Sequence, residues 1–365
     1  MIEAERNQKD TMAADILVRR TPPSPTVVYD TYWRFATERQ AIYLRRFSQP
    51  VGPWTADPVL AEHKFTNAYR AADRVSQYLL RSVIYAGEHY DVRETIFRTI
   101  LFKIFNRIET WELLQRRFGD ITLKNFQLSE ANQVLSDAVA DGTSIYSAAY
   151  IMPAGPAVEA PSPKFRRPKH PTHLALLDMI LNKGIVDQLI ATRSLQELYQ
   201  VFLSVPSFGP FLSYQYAIDL NYSEFFDFSE NDFVQPGPGA LNGLAKCFSS
   251  LGDYSAADAI AWVTDRQTTE THVRGLPFQT LFGRYLHRID CQNLFCETDK
   301  YSRAVHPEFN KARFRIKQKF TASGPPPAPF FPPKWNLQVP DVSEAFSAVV
   351  PDGRIATRRQ LGLSF

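Results

Sequence analysis

The chain has 365 residues, of which 44% are hydrophobic and 22% charged, and its 41 Lys and Arg against 38 Asp and Glu give a formal net charge of +3. This hydrophobic fraction is too high for a disordered chain. Apolar runs stop well short of the roughly 20 residues that a membrane-spanning helix needs, and no signal-peptide pattern opens the chain, so a cytoplasmic protein is expected. A net charge close to zero argues against a protein that coats nucleic acid non-specifically, but it is compatible with a local basic site.

Residues 1–25 are polar, end in closely spaced prolines and are predicted to form a flexible arm. Apolar residues at three- and four-residue spacing then predict a mainly α domain of two helical lobes over residues 26–305. Ser129 is the predicted N-cap of its helix. The predicted helices cover residues 29–47, 67–80, 97–108, 110–118, 129–140, 172–190, 194–203, 211–220, 240–251, 255–264 and 278–294.

Two further segments are basic. A proline-rich loop at 153–171 includes Lys164, Arg166 and Arg167. In residues 306–365, the stretch 313–320 has a basic residue at every second position, so a strand there would present one cationic face. The prolines at 325–329 exclude a helix, and this tail is predicted to wrap the surface or to move freely.

Cysteine and histidine usage predicts no bound cofactor. The three cysteines are too few for a disulfide framework or for the four thiolates of an iron–sulfur cluster. His63, His170, His173 and His272 do not have the spacing of metal ligands. Neither a metal nor another cofactor is therefore expected.

The short segment between the helices at 194–203 and 211–220 is the most informative. Backbone N–H groups at the start of a helix, together with the helix dipole, bind phosphate. The turn VPSFGPFL at 205–212 resembles the helix–hairpin–helix of base-excision DNA glycosylases, although that family usually has a second glycine where Ser207 stands. A glycine-containing turn is also ordinary between packed helices, so both interpretations stay open.

An acidic cluster follows the hairpin. The resemblance to glycosylases implies a catalytic aspartate downstream of Gly209, and Glu230 and Asp232 lie there. The next residues, PGPG at 236–239, break regular structure and let backbone approach a ligand closely. The carboxylate is either a pocket acid or the cap of the next helix.

Several motifs together resemble one narrower family. They are PWTADP at 53–58, KFTNAYRAADR at 64–74, LFKIFN at 101–106, ETW at 109–111, FGPF at 208–211, DLNYS at 219–223, GPG at 237–239 and CETDKY at 296–301. These motifs are similar to those of the DNA base-hypermodification family, the α-glutamyl/putrescinyl thymine pyrophosphorylases, which also form the helical domain associated with 5-hydroxymethyluracil DNA kinases. The resemblance implies a DNA-glycosylase-like fold. It also implies either enzymes that build amine-bearing thymines or antiviral glycosylases that remove modified bases from phage DNA.

The resemblance and the two basic segments together supply the candidate site residues, although the tail beyond about residue 305 lies outside the resemblance. Asp232 is the first candidate for the catalytic carboxylate, with Glu230 and Asp219 as rivals. The base and phosphate pocket is predicted from Lys64, Asn67, Arg70, Asp73, Arg74, Asn106, Glu297 and Lys300. DNA contacts are predicted from Ser207, Phe208, Gly209, Gly237, Gly239, Lys164, Arg166, Arg167, Arg313, Arg315 and Lys317. Without the resemblance, the same charges are typical of a solvated helix face and the aromatic residues of core packing.

Three functions follow from this pattern. The first is a monofunctional DNA glycosylase that flips a modified base and hydrolyses its N-glycosidic bond, because Phe211 stands where bifunctional glycosylases have a nucleophilic lysine. The second is a transferase that replaces a phosphate or pyrophosphate on a 5-hydroxymethyluracil-derived base with an amine. The third is a non-catalytic module for modified DNA. The Gly-x-x-x-x-Gly-Lys-Ser/Thr pattern is absent, so no nucleotide-binding P-loop is predicted.

Overall fold

The computed structural model describes residues 20–49, 51–87, 89–150, 152–153, 168–310, 314–321 and 328–339. Over these residues the fold is mainly α, as the apolar periodicity predicts, with fourteen α-helices and one two-stranded sheet. None of the described helices is long and apolar enough to cross a membrane. The helices are α1 (Val27–Ser48), α2 (Pro58–Glu62), α3 (Arg74–Tyr78), α4 (Val92–Phe105), α5 (Ile108–Phe118), α6 (Leu128–Ala140), α7 (His170–Asn182), α8 (Ile185–Ala191), α9 (Leu195–Ser204), α10 (Pro210–Asn221), α11 (Pro238–Cys247), α12 (Ala256–Asp265), α13 (Gln267–Val273) and α14 (Arg288–Val305).

The long helix α1 packs its aromatic stripe against α14. Thr26 caps α1 by accepting a hydrogen bond from the Val28 N–H. The Tyr32 ring lies 4.5 Å from the ring of Phe295 on α14, and both residues are buried. Strand β1 (Ser24–Pro25) precedes α1 and pairs antiparallel with β2 (Phe248–Ser250), which follows α11. The start of α1 is therefore held against α11 and α14.

Glycines bring α11 unusually close to α14. A Cβ added at Gly243 would lie 2.0 Å from the carbonyl oxygen of Phe295, and one at Gly239 would lie 2.3 Å from Cys296 Sγ. Side chains at these two positions would hold the helices apart. The close contact fixes the position of α14, the helix that also carries Glu297 and Lys300.

The prediction of one helix over residues 67–80 is wrong. The chain instead forms a 3₁₀ turn at Arg70–Ala72, then α3, then a π-helical turn at Leu79–Ile84. Asp73 is extended, and its carboxylate accepts a hydrogen bond from the Asn67 N–H while the Asn67 side chain donates to the Ala72 carbonyl. These side-chain hydrogen bonds take the place of the backbone hydrogen bonds of a continuous helix.

Other boundaries also differ from the predictions. The helix predicted over 172–190 breaks at Gly184, which has a φ of 75°. The helix predicted from 278 begins at Arg288, because a tight turn bridges Leu281 and Arg284. The sequence pattern does not predict α2 and α13, and α6 has Gln127 rather than Ser129 at its N-cap.

The described residues after 313, which are 314–321 and 328–339, lie along the helical domain. Within 314–320, Lys319 forms an isolated bridge with His63, so the described part of the predicted strand is extended but forms no sheet. Residues 328–339 fold back onto the domain. The Gln77 amide exchanges two hydrogen bonds of 2.8 Å with the Phe330 backbone, and the Arg284 guanidinium stacks 3.6 Å over the Trp335 ring.

Candidate active site

A cavity of about 440 Å³ lies where the 64–79 segment, the end of α4, residues 147–150, α10 and α14 meet. Of the predicted pocket residues, all but Asn67 line it, and so does Asp219. Asn67 lies beside the cavity wall, where its side chain accepts a 2.6 Å hydrogen bond from Arg39. The fold thus gathers residues that are far apart in the sequence around one space.

Arg70 and Asp219 form the floor of this cavity. Arg70 Nη1 lies 2.5 Å from Asp219 Oδ1, and the two side chains are 2% and 1% exposed. The guanidinium also donates to the Gln215 side-chain oxygen at 3.0 Å and to the Tyr222 hydroxyl at 3.3 Å. An arginine fixed by three partners holds a rigid, preorganised position.

Lys103 is the second cation on Asp219, and it was not among the predicted site residues. Its Nζ lies 2.8 Å from Asp219 Oδ2 and donates a 3.0 Å hydrogen bond to Asn106 Oδ1. Burial opposes the ionisation of Asp219, but Arg70 and Lys103 together hold its pKa below the ordinary value. Burial lowers the pKa of Lys103, and nearby Arg70 lowers it further, against the opposing effect of Asp219.

Asn106 and Tyr150 complete the inner wall with left-handed backbone. Asn106 ends α4 with a φ of 47°, which asparagine tolerates better than most residues. Tyr150 has a φ of 55°, and its ring centre lies 4.4 Å from Lys103 Nζ. The Tyr150 ring also stacks on the ring of Phe211, with ring centres 5.8 Å apart. Phe211, in the first turn of α10, therefore supports the cavity wall.

Charged residues of both signs surround the mouth of the cavity. Glu297 accepts a 3.0 Å hydrogen bond from the Thr66 N–H and pairs with Lys300 at 3.1 Å. Arg74 is largely exposed and pairs with Glu109 at 3.3 Å, and Lys64 is exposed at the rim. These cations are accessible to a ligand, whereas Arg70 and Lys103 lie deeper.

Asp73 differs from the other carboxylates at the cavity. Its Oδ1 accepts a 2.8 Å hydrogen bond from the Asn67 N–H. Burial raises the pKa of Asp73 to about 7, and the charge of Glu297 adds to the shift. A carboxylate with this pKa exchanges protons near neutral pH.

The two leading candidates for the catalytic acid lie outside the cavity lining. Glu230 is buried and pairs with Arg284 at 3.1 Å, with His287 Nδ1 3.7 Å away. Asp232 is exposed, and the N-cap of α11 is Gly237 rather than a side chain from the acidic cluster. Among the three candidate carboxylates, Asp219 is the one that faces the cavity.

The predicted helical hairpin is present. A turn at residues 205–209 joins α9 to α10, with exposed Gly209 at the N-cap and Ser207 at a φ of 71°. Phe208, a predicted DNA contact, is buried and stacks on Phe202 with ring centres 5.8 Å apart, so it packs in the core rather than projecting from the surface.

The two glycines of the PGPG segment have partners within the protein. A Cβ at Gly237 would lie 2.6 Å from the Phe211 ring, and Gly239 lies against Cys296. Close helix packing accounts for both glycines without a DNA contact.

Part of the predicted DNA-contact set has no described position. Lys164, Arg166, Arg167 and Arg313 lie outside the described residues. Arg315 and Lys317 are exposed, on a segment whose Gln318 carbonyl accepts a 3.0 Å hydrogen bond from the Lys64 N–H. This cationic segment therefore borders the mouth of the cavity. In the described ranges no group of three His, Cys, Asp or Glu side chains is arranged to hold a metal ion.

Comparison with known proteins identifies the family. The model of the 5-hmdU DNA kinase helical domain matches residues 26–311. A 5-hmdU DNA kinase from Bacillus phage SP10 is 26% identical over 304 residues, which cover 79% of this chain and 47% of the phage protein. The chain thus spans about half the length of that relative, and no solved structure matches it. The match over most of the chain shows that it belongs to the family of 5-hmdU DNA kinase helical domains.

Proposed function

We propose that the chain is a DNA-modifying transferase that replaces a phosphate or pyrophosphate on a 5-hydroxymethyluracil-derived base with an amine. The observation that carries the proposal is Asp219, buried between Arg70 and Lys103 at the floor of a cavity whose mouth bears further cations. The name of the phage relative describes a kinase of 5-hmdU in DNA. A phosphate ester on a hydroxymethyl group is a leaving group that a following step can displace.

The mouth of the cavity suits the leaving phosphate. Basic side chains outnumber acidic ones along the lining. Lys64, Arg74 and Lys300 are positioned at the rim to neutralise charge as it develops on the phosphate oxygen. Arg70 and Lys103 lie deeper and are held in place by Asp219. They would therefore contact the polar edge of the pyrimidine rather than the phosphate.

The transfer needs a group that accepts a proton. The amine nitrogen attacks the exocyclic methylene carbon on C5, the carbon–oxygen bond breaks, and the phosphate leaves with the bonding electrons. The attacking nitrogen must then lose a proton. Asp73 is our candidate for the base, because it lines the cavity and its pKa of about 7 suits proton transfer at neutral pH.

A glycosylase remains the second candidate. The α9–α10 hairpin with exposed Gly209 at its second helix favours DNA-backbone binding, as in DNA-glycosylase-like proteins. In that reaction Asp219, rather than Asp232, would stabilise the oxocarbenium-like sugar, because it faces the cavity. A module that only binds modified DNA is the third outcome of the same experiment.

Nucleoside mass spectrometry distinguishes these functions. The protein is incubated with duplex DNA that carries 5-hydroxymethyluracil, its phosphate ester or its pyrophosphate ester, with or without putrescine and glutamate. We expect an amine-bearing thymine from an ester substrate and only when an amine is present. Abasic sites with free base would instead support the glycosylase, and DNA binding without either product would leave the binding module.

Two aspartates provide a matched comparison. Asp219→Asn should abolish product, whereas Asp232→Asn, at an exposed position outside the lining, should retain it. Loss of product in Asp232→Asn alone would overturn the assignment of the reaction to this cavity.

A further inference from the structure

Contact with the edge of a pyrimidine, the role proposed above for Lys103, does not require the environment that this lysine has. It lies on α4 among buried apolar residues, its side chain is 3% exposed, and it lines the cavity. A carboxylate lies 2.8 Å away, and a second cation, Arg70, shares that carboxylate. A lysine amine becomes nucleophilic when it is desolvated or placed beside another cation, and Lys103 meets both conditions.

Lys246 shows that burial beside a carboxylate is not by itself unusual. Its Nζ lies 3.1 Å from Asp299 Oδ1 and donates to the Asp299 carbonyl and to Asn310 Oδ1. This lysine is packed between α11 and α14 and does not line the cavity. The two lysines therefore differ in access to a ligand rather than in charge pairing.

We propose that Lys103 is a nucleophile that forms an imine with an aldehyde carried by DNA. The aldehyde is either the open-chain C1′ of an abasic deoxyribose or a formyl group on C5 of a pyrimidine. Both present the same reactive carbon, and a cavity of about 440 Å³ has room for either. The proposal stands on the cavity geometry and does not depend on the transfer reaction proposed above.

Each step balances with water and the groups around Lys103. Water in the cavity takes one proton from the Lys103 ammonium, the free amine attacks the carbonyl carbon, and a proton moves from the nitrogen to the carbonyl oxygen to give a carbinolamine. The hydroxyl group of the carbinolamine then takes up a proton from the solvent and leaves as water. The product is a protonated imine whose positive charge remains beside Asp219, so the ion pair persists. Arg70 keeps the other carboxylate oxygen in place during this exchange. The lowered pKa of Lys103 favours the free amine that the first step needs.

Reductive trapping tests the proposal. The full chain is mixed with sodium cyanoborohydride and duplex DNA that contains one abasic site or one 5-formyluracil, without amine or phosphate ester. We expect a covalent protein–DNA adduct that peptide mass spectrometry maps to Lys103. An adduct with abasic DNA alone identifies the sugar aldehyde, and one with 5-formyluracil alone identifies the base aldehyde.

Two variants make the result decisive. Lys103→Arg keeps a cation beside Asp219 but cannot form an imine, so adduct yield should fall about tenfold or more. Lys246→Arg alters the other buried lysine and should leave the yield unchanged. Absence of an adduct from both DNAs, or mapping of the wild-type adduct to other lysines, would overturn the proposal. The mapping uses the wild-type chain, so it holds even where a variant folds poorly.

Discussion

Asp219 Oδ2 lies 2.8 Å from Lys103 Nζ, and α10 and α4 bury both side chains almost completely. The opposite oxygen of the same carboxylate contacts Arg70 at 2.5 Å. One carboxylate thus compensates two buried cations, and the cavity floor depends on its charge. Removing one partner of a buried pair leaves an uncompensated charge, which costs more than the pair itself contributes.

Asp219→Asn should therefore destabilise the fold as well as abolish activity. We expect the free energy of unfolding to fall by about 3–5 kcal/mol, measured by denaturant titration. The control is Glu109→Gln, which breaks the exposed pair with Arg74 and should cost less than about 1 kcal/mol. Similar costs for the two variants would contradict the assignment of Asp219 to a buried charge cluster.

The pKa of Asp73 predicts a pH dependence of stability. Its ordinary value is 3.8, and burial raises it to about 7 in the folded chain. The folded state binds this proton more tightly, so the stabilising contribution is present below pH 3.8 and is lost as pH rises towards 7. The unfolding free energy of the wild type minus that of Asp73→Asn should therefore fall as the pH rises over this range.

Glu109 gives the opposite sign and serves as the control. A backbone hydrogen bond, with help from Arg107 and Arg74, lowers the pKa of Glu109 below its ordinary value of 4.5. The contribution of Glu109 to stability is present above that value and is lost at lower pH. The unfolding free energy of the wild type minus that of Glu109→Gln should therefore fall on acidification. Parallel curves for the two variants would contradict the burial of Asp73.

The α class and most helix cores could be predicted, because local periodicity records which face of a helix is buried. Helix α4 has such a pattern, and it contains the one clue to Lys103, a lysine within the apolar run LFKIF at 101–105. Charge in an apolar run signals either a compensated ion pair or a functional group. Its partner on α10 could not be identified, because tertiary packing alone brings the two helices together.

The broken segment at residues 64–84 shows a second limit. Its charges fit a helical spacing, but the Asp73 and Asn67 side chains bind backbone groups that a helix would use. Such competition depends on a few side-chain contacts and leaves no periodic trace. The resemblance to glycosylases likewise favours Asp232 as the acid, whereas Asp219 is the candidate carboxylate that lines the cavity.

Alanine substitutions at two glycines test how tightly α11 packs against α14. Gly243→Ala would place a methyl 2.0 Å from the Phe295 carbonyl oxygen, and neither backbone can move away easily. We expect a loss of about 1–3 kcal/mol or more in denaturant titrations. Gly209→Ala meets no atom within 4 Å at a φ of −89°, so its stability should be close to that of the wild type. Equal losses would show that α11 and α14 are less tightly packed.

The segment at residues 328–339 lies outside the family match, yet it packs behind the cavity floor. Trp335 contacts Arg284 at 3.6 Å and the Tyr222 ring at 5.5 Å, and the Tyr222 hydroxyl accepts a hydrogen bond from Arg70. Trp335→Ala should lower stability by about 1–3 kcal/mol through lost packing and cation–π contact. It should also speed proteolytic cleavage within 328–339. Unchanged cleavage would contradict this docking.

Ser207 carries a local strain that glycine would relieve. Its φ of 71° costs an L-residue about 1–2 kcal/mol, whereas glycine adopts it freely. Ser207→Gly should therefore stabilise the chain by up to about 1 kcal/mol, since greater freedom in the unfolded state offsets part of the relief. Ser207→Val should be destabilised by about 1–2 kcal/mol, because β-branching makes this conformation worse. If thermal denaturation ranks valine above glycine, the left-handed turn between α9 and α10 is not the solution conformation.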